Sequence, residues 1–176
     1  MKKTKLIILG GFAGAGKTTI ARKLASEFNY PIFSSDEFND GLRPLLNKDF
    51  HETSPVAYGL LWFLLKRNLR NNVTSILDMN MCADRSWQSV DEMKSDLGNL
   101  EMTPIILECS LDVHKERIEH RGANDDEHLN LGGDALEDVM YKYDYINHFK
   151  RSDLIRVDAS GSIEEVYKKV LDAIHS

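Results

Sequence analysis

Apolar residues in this chain gather in short unbroken runs rather than alternating one by one with polar residues. Leu6-Ile7-Ile8-Leu9 is one such run, and Val73 to Leu77 is a second largely apolar stretch that takes in Thr74 and Ser75. Continuous runs of this length predict strands covered on both faces, as in a parallel sheet. The pattern predicts strands over 5–10, 31–34, 73–79, 103–109 and 154–158. Between them, helical periodicity runs over 17–29, 54–71, 84–97, 111–121, 134–149 and 162–175. Strands alternating with helices predict a doubly wound α/β fold. Local signals support several boundaries. Ser110 is placed to cap the helix after it, and Ser162-Ile163-Glu164-Glu165 reads as a capping box. Pro31 and Pro104 fall at strand starts, where a missing N–H is tolerated. Two stretches look irregular: 36–53, and 122–133 ending in Gly132-Gly133. There is no internal repeat and no low-complexity segment.

The loops after the strands are where such a sheet binds ligands, and the first of them carries the sharpest motif. Gly11-Phe12-Ala13-Gly14-Ala15-Gly16-Lys17-Thr18 matches G-x-x-x-x-G-K-[ST], the Walker A phosphate loop, with a strand before it and a helix after it. The glycines let the backbone curl so that N–H groups face phosphate oxygens. The helix beginning at Lys17 adds the positive end of its dipole. Lys17 is placed to reach the β- and γ-phosphates, and the Thr18 hydroxyl to bind Mg²⁺. The nucleotide contacts expected are therefore Gly11, Ala13, Gly14, Ala15, Gly16, Lys17, Thr18 and Thr19.

Composition narrows the class. At 176 residues the chain reads as one domain, 1–176, with enough length for a substantial core. A net charge of −6 argues against a general nucleic-acid binder. The basic start leads into an apolar stretch that is too short for a leader and ends in glycines, so it reads as a buried strand. Val56 to Leu65, the longest apolar run, is too short to cross a bilayer. Cys82 and Cys109 fit no metal or redox spacing, and the histidines form no H-x-x-x-H pair. The expectation is a cytoplasmic protein with reduced thiols and no zinc site.

Further candidates lie after the later strands. Asp36, in Ser34-Ser35-Asp36-Glu37, could accept the proton of an attacking hydroxyl, or it could cap a helix. Asp78 closes an apolar strand and could hold a water on Mg²⁺, or it could be an ordinary turn residue. The roles of Asp36 and Asp78 could also be exchanged. Asn80 would point the same way as Asp78 and could hydrogen-bond an acceptor. Arg85 is a weaker candidate for anchoring it. Arg117 and Arg121, four apart on one helical face, suit a lid that closes on phosphates; the alternative is a solvated charged face. The acidic Asn124-Asp125-Asp126-Glu127 would sit poorly beside phosphates unless it faces solvent or a cationic acceptor. The 54–71 helix is either core or the wall of an acceptor pocket that includes Tyr58 and Trp62.

Taken together, the Gly11–Thr18 loop, Asp36, Asp78-Met79-Asn80, and Arg117 with Arg121 resemble the P-loop small-molecule kinases. That group includes gluconate kinase, chloramphenicol phosphotransferase, polynucleotide 5′-hydroxyl kinase and the zeta-toxin kinases. The resemblance runs the length of the chain. It implies a three-layer sandwich around a parallel five-stranded sheet of order 2-3-1-4-5, with a short lid at about 122–133. It also implies ATP and Mg²⁺ as co-substrates, a small-molecule hydroxyl as acceptor, Asp36 as general base, and catalytic Lys17, Arg117 and Arg121. One position departs from the pattern. Several relatives carry an arginine three residues after the catalytic Asp, where this chain has Asn39, and the nearest arginine is Arg43. That departure argues against phosphate anchoring in the acceptor site and hence against a nucleic-acid 5′-end substrate. A nucleotide-dependent regulatory or accessory ATPase remains the alternative from another class, and a nucleic-acid 5′-hydroxyl kinase is a third, weaker one.

Overall fold

A computed structural model of the chain describes residues 4–122 and 151–175. In chain order the elements are β1 (Thr4–Gly11), α1 (Lys17–Phe28), β2 (Ile32–Ser34), α2 (Ser35–Leu46), α3 (Phe50–Arg70) and β3 (Ser75–Asp78). Then come α4 (Asp84–Leu97), β4 (Leu100–Glu108), α5 (Leu111–Gly122), β5 (Ile155–Asp158) and α6 (Ile163–His175). The strands form one parallel five-stranded sheet in the order β2-β3-β1-β4-β5. This is the α/β sandwich expected from the runs. The helix expected at 134–149 and the lid expected at 122–133 lie outside the described residues, apart from Gly122 at the end of α5.

Alternate residues of β1 face opposite layers, as the strand period requires. Leu6 and Ile8 join a cluster with Leu61, Leu65 and Leu69 of α3 and with Val90 and Met93 of α4. Ile7 and Leu9 join one with Ile20, Ala21 and Leu24 of α1 and with Val166 and Val170 of α6. All four β1 side chains are essentially inaccessible. Each such aliphatic side chain contributes about 1.5–3 kcal/mol when fully buried. The glycines ending β1 allow a tight fit. A Cβ on Gly11, at φ +135°, would stand 2.5 Å from the Leu107 carbonyl oxygen.

The register sets the ends of three strands level. Leu9 of β1 and Ser34 of β2 both pair with Asp78 of β3. The chain therefore leaves β1, β2 and β3 at one height, on the side where α/β sheets bind ligands.

The 36–53 stretch is not irregular as expected. Most of it is α2, followed by a short turn and a first turn of α3 that begins before residue 54. Ser34 caps α2 by accepting from the Glu37 N–H at 3.4 Å. Asp49 and Glu52 form a full capping box for α3, with Asp49 Oδ1 accepting from Glu52 N at 3.0 Å. Phe38, Leu42, Leu45 and Leu46 recur along α2 at helical spacing, a signal passed over in the sequence, while the two residues of α2 that are buried are the polar Ser35 and Asn39. Asn39 is fully buried and bonded on both sides of its amide. Its Oδ1 accepts from the Thr53 hydroxyl, and its Nδ2 donates to Ser54 Oγ at 2.9 Å and to the Phe50 carbonyl at 3.4 Å. Pro55 does not start α3. It sits inside the helix, where it removes the single bond that would run back to His51.

Pro104 also differs from expectation, lying inside β4 rather than at its start. It pairs with Ile8 of β1, while β5 joins only from Ile105 onward, so β4 at that point is paired on one side alone. A residue without an N–H is tolerated there for the same reason as on an edge. The caps proposed at Ser110 and at Ser162–Glu165 are both present.

The capping box makes a simple test. Asp49→Ala should destabilise the protein and lower its melting temperature by roughly 2–4 °C, the shift typical of a lost cap in a domain of this size. An unchanged melting curve would place the start of α3 further along the chain.

Candidate active site

Gly16 caps α1 in the left-handed region, at φ 91°, and the first turn of α1 carries no acidic residue. The positive end of the helix is therefore unopposed in front of the loop. Inside the loop, the Ala15 N–H and Lys17 Nζ both donate to the Phe12 carbonyl, at 3.2 and 3.0 Å. The Ala13 carbonyl lies 2.7 Å from His114 Nδ1, and the Gly14 carbonyl accepts from Arg117 Nη1 at 3.3 Å.

Across the sheet, the Thr18 hydroxyl donates to Asp78 Oδ2 at 2.7 Å. Asp78 is 3% exposed. Burial pushes its carboxyl above the ordinary carboxylate range; the Lys17 charge and the Thr18 hydroxyl pull it back, while Asp36 and Glu37 add to the rise. Two hard oxygen donors in contact, one of them anionic and short of compensating charge, suit Mg²⁺. The side chains of Thr18 and Asp78 would hold that ion directly or through its waters. No group of three or more His, Cys, Asp or Glu side chains forms a metal cluster among the described residues, so no separate metal centre competes with this position there.

Two hollows flank the phosphate loop. One, about 430 Å³ in volume, is lined by Phe12, Lys17, Ser35, Asp36, Tyr58, Asn80 and Arg85, among others. It brings Asp36, Asn80 and Arg85 together with Lys17, as the sequence suggested. Asp36 stands in the first turn of α2, where Ser35 Oγ donates to its Oδ1 at 3.3 Å. The cap itself is Ser34, which leaves the Asp36 carboxylate exposed in the cleft. Arg85 lies over the Tyr58 ring, 5.6 Å from its centroid. Burial and the Asp36 charge together push the Tyr58 phenol up. α3 thus serves both readings of its sequence. Ala57, Leu61, Leu65 and Leu69 are core, Tyr58 lines the cleft, and Trp62 packs against the core.

Phe50, His51, Cys82 and Ser86 also line this cleft and were not foreseen. Asp49-x-x-Glu52 was the available signal for the first two, since a capping box there starts the helix early enough to bring them in. Burial raises the Cys82 thiol to about 11, which keeps it protonated. Asn39, by contrast, is absent from the cleft and ties α2 to α3.

The second hollow, about 260 Å³, is lined by Gly14, Gly16, Thr19, Arg117, Ala159 and Gly161, among others. Arg117 donates there to the carbonyls of Ala159, at 2.8 Å, and Gly161, at 3.3 Å. Arg117 therefore sits on the opposite side of the loop from Asp36. Its companion Arg121 falls in the last turn of α5, with its side chain outside the described residues, as is the acidic stretch 124–127.

The family model described as an AAA domain matches residues 6–146, which include the phosphate loop and both aspartates. The chain belongs to this AAA-domain family. A protein from Chloroflexus aurantiacus provisionally named a kinase is similar in fold, with a TM-score of 0.76 and 20% identity, over 99% of this chain and 98% of that one. A gluconokinase from Sinorhizobium meliloti is also similar, with a TM-score of 0.64 and 15% identity, over 99% and 94% of the two chains. Adenylate kinase isoenzyme 5 from Bos taurus is 26% identical over the whole of this chain, which spans about a third (34%) of that relative's length. This AAA-domain chain thus has a kinase-like P-loop fold. None of its described helices is long and apolar enough to cross a membrane.

The buried Asp78 gives this AAA-domain site a stability cost that can be measured. Because its folded pKa is raised, the cost stands above that value and falls away as pH drops through it, when the native state takes up the proton first. Asp78→Asn removes the charge and keeps an oxygen to accept from Thr18. The variant should melt higher than wild type near neutral pH, and its expected nucleotide affinity is the same with and without Mg²⁺. Melting and calorimetric titration with and without Mg²⁺ test both halves. A lower melting temperature with Mg²⁺ dependence intact would remove Asp78 from the metal shell.

Proposed function

We propose that this chain is an ATP-dependent phosphotransferase that moves the γ-phosphate to a hydroxyl of a small-molecule acceptor. One observation carries the reading: Lys17 and Asp36 line a single cleft, next to the Thr18–Asp78 pair and at the level ends of three strands. A donor phosphate held by the loop and an acceptor held in the cleft would meet between those two side chains.

In this reading the loop N–H groups and Lys17 hold the triphosphate, and Lys17 leaves the Phe12 carbonyl to do so. Mg²⁺ held at Thr18 and Asp78 would screen the charge on the β- and γ-oxygens. The acceptor oxygen attacks the γ-phosphorus, the bond to the bridging β–γ oxygen breaks, ADP leaves, and the hydroxyl proton passes to the Asp36 carboxylate. Asn80 and Arg85 orient the acceptor. Arg117 brings positive charge from the α5 side, and Arg121, four residues further along the chain, is the second arginine proposed for that role. Thr19 and Gly16, which line the other hollow, belong to the nucleotide side.

The cleft supports a small acceptor. Its volume of about 430 Å³ and its walls of Phe12, Phe50 and Tyr58 fit a ring-sized molecule better than a polymer end. The net charge of −6 weighs in the same direction. We place the whole chain, as a single kinase domain, among cytoplasmic enzymes on the strength of its unpaired cysteines and ATP chemistry.

The test is acceptor-dependent ADP release over a panel of sugars, nucleosides, amino alcohols and aminoglycosides. With an active acceptor, Asp36→Asn should lower kcat by about 10²–10⁴ while nucleotide still binds, whereas Lys17→Ala should impair binding and transfer together. Transfer at the wild-type rate in Asp36→Asn would sink the general-base role. ADP release that ignores every acceptor and responds to a protein instead would favour the regulatory ATPase.

A further inference from the structure

Two residues of α5, three apart, hold two consecutive carbonyls of the phosphate loop: His114 that of Ala13 and Arg117 that of Gly14. His114 is completely buried. A carbonyl can only accept, so the ring nitrogen 2.7 Å from the Ala13 oxygen is the one that carries the proton. Burial, with Lys17 and Arg117 nearby, holds the imidazole below its ordinary pKa, so the ring is neutral at pH 7. The ring also stands edge-on to Phe12, 6.3 Å between centroids at 82°.

The consequence lies in the peptide plane. In a trans peptide the C=O and the following N–H point in opposite directions. Fixing the Ala13 carbonyl toward α5 therefore turns the Gly14 N–H away from α5. Gly14 sits at φ +79°, and a Cβ there would press on the His114 carbonyl oxygen at 3.1 Å and on Ile118 Cγ1 at 3.3 Å. The loop is thus seated directly on α5 at this point, and only one side of the Ala13–Gly14 peptide is open to a ligand. Phosphate loops work through such pre-aimed N–H groups.

We propose that His114 is a positioning residue of the nucleotide site: its Nδ1–H holds the Ala13–Gly14 peptide so that the Gly14 N–H faces the bound phosphates. The assignment rests on the nucleotide-binding half of the function proposed above. It also links the donor site to α5, so that a change at either is felt by the other.

The experiment compares three full-length proteins by calorimetric titration with Mg²⁺ and a non-hydrolysable ATP analogue, each first melted to establish its folding. His114→Phe keeps a ring against Phe12 but has no donor. His114→Asn places an amide N–H near the position of Nδ1. The expected result is a folded His114→Phe, melting somewhat below wild type, with nucleotide affinity weaker by about tenfold, the effect of one hydrogen bond, and recovery of most of that affinity in His114→Asn. Unchanged affinity in folded His114→Phe overturns the proposal, as does equal weakening in both variants. If His114→Phe fails to fold while His114→Asn binds normally, His114 serves stability, and the positioning role is again overturned. The wild-type titration separates the two levels: no binding there defeats the nucleotide site itself and this proposal with it, while normal wild-type binding confines any failure to His114.

Discussion

Most of the chemistry of this chain depends on three strands that end at one height. Parallel pairing sets Leu9, Asp78 and Ser34 side by side, and the segments that leave them carry the phosphate loop, the buried carboxylate and the exposed one. The Thr18–Asp78 hydrogen bond then ties residues sixty positions apart into one oxygen-rich corner. A slip of one residue in β3 would send Asp78 to the opposite face of the sheet and dissolve that corner, since side chains alternate along a strand. The dense packing of β1 on both faces is what forbids the slip.

The electrostatics follow from burial. Asp78 is hidden and carries its charge at a cost, while Asp36, forty-two positions earlier, is exposed at a helix N-terminus. Two carboxylates in such different surroundings suit different tasks, one holding a cation and the other meeting an acceptor. Lys17 lies between these roles. It lowers the cost at Asp78 and, as the structure stands, rests on the Phe12 carbonyl of its own loop.

The sheet was legible because its strands are apolar on both faces, and the order 2-3-1-4-5 followed from the resemblance that the loop and the aspartates supported. Asp36 and Asn80 could be grouped because each comes just after a strand, and Arg85 was a weaker candidate because it follows Asn80 closely. Helix α2 was legible in the spacing of Phe38, Leu42, Leu45 and Leu46 but was passed over; its tie to α3 through Asn39 was not legible, because it joins polar side chains fourteen and fifteen positions apart. The caps of the two helices, Ser34-x-x-Glu37 and Asp49-x-x-Glu52, were in plain view, yet a helix was expected only from residue 54. The grip of His114 on the loop could not be read at all. It joins residues 101 positions apart, and nothing in the spacing of a single histidine distinguishes a loop-holding ring from an ordinary buried one.

The Asn39 clamp has a consequence for how such a protein diversifies. Its amide bonds join α2 to the start of α3 without involving the sheet or the phosphate loop. The helical hairpin between β2 and β3 therefore carries its own internal fastening, and it brings Asp36, Phe50, His51 and Tyr58 to the cleft as a unit. Its lining residues can change one at a time, and with them what the cleft accepts, while the strand register and the phosphate-binding end stay as they are.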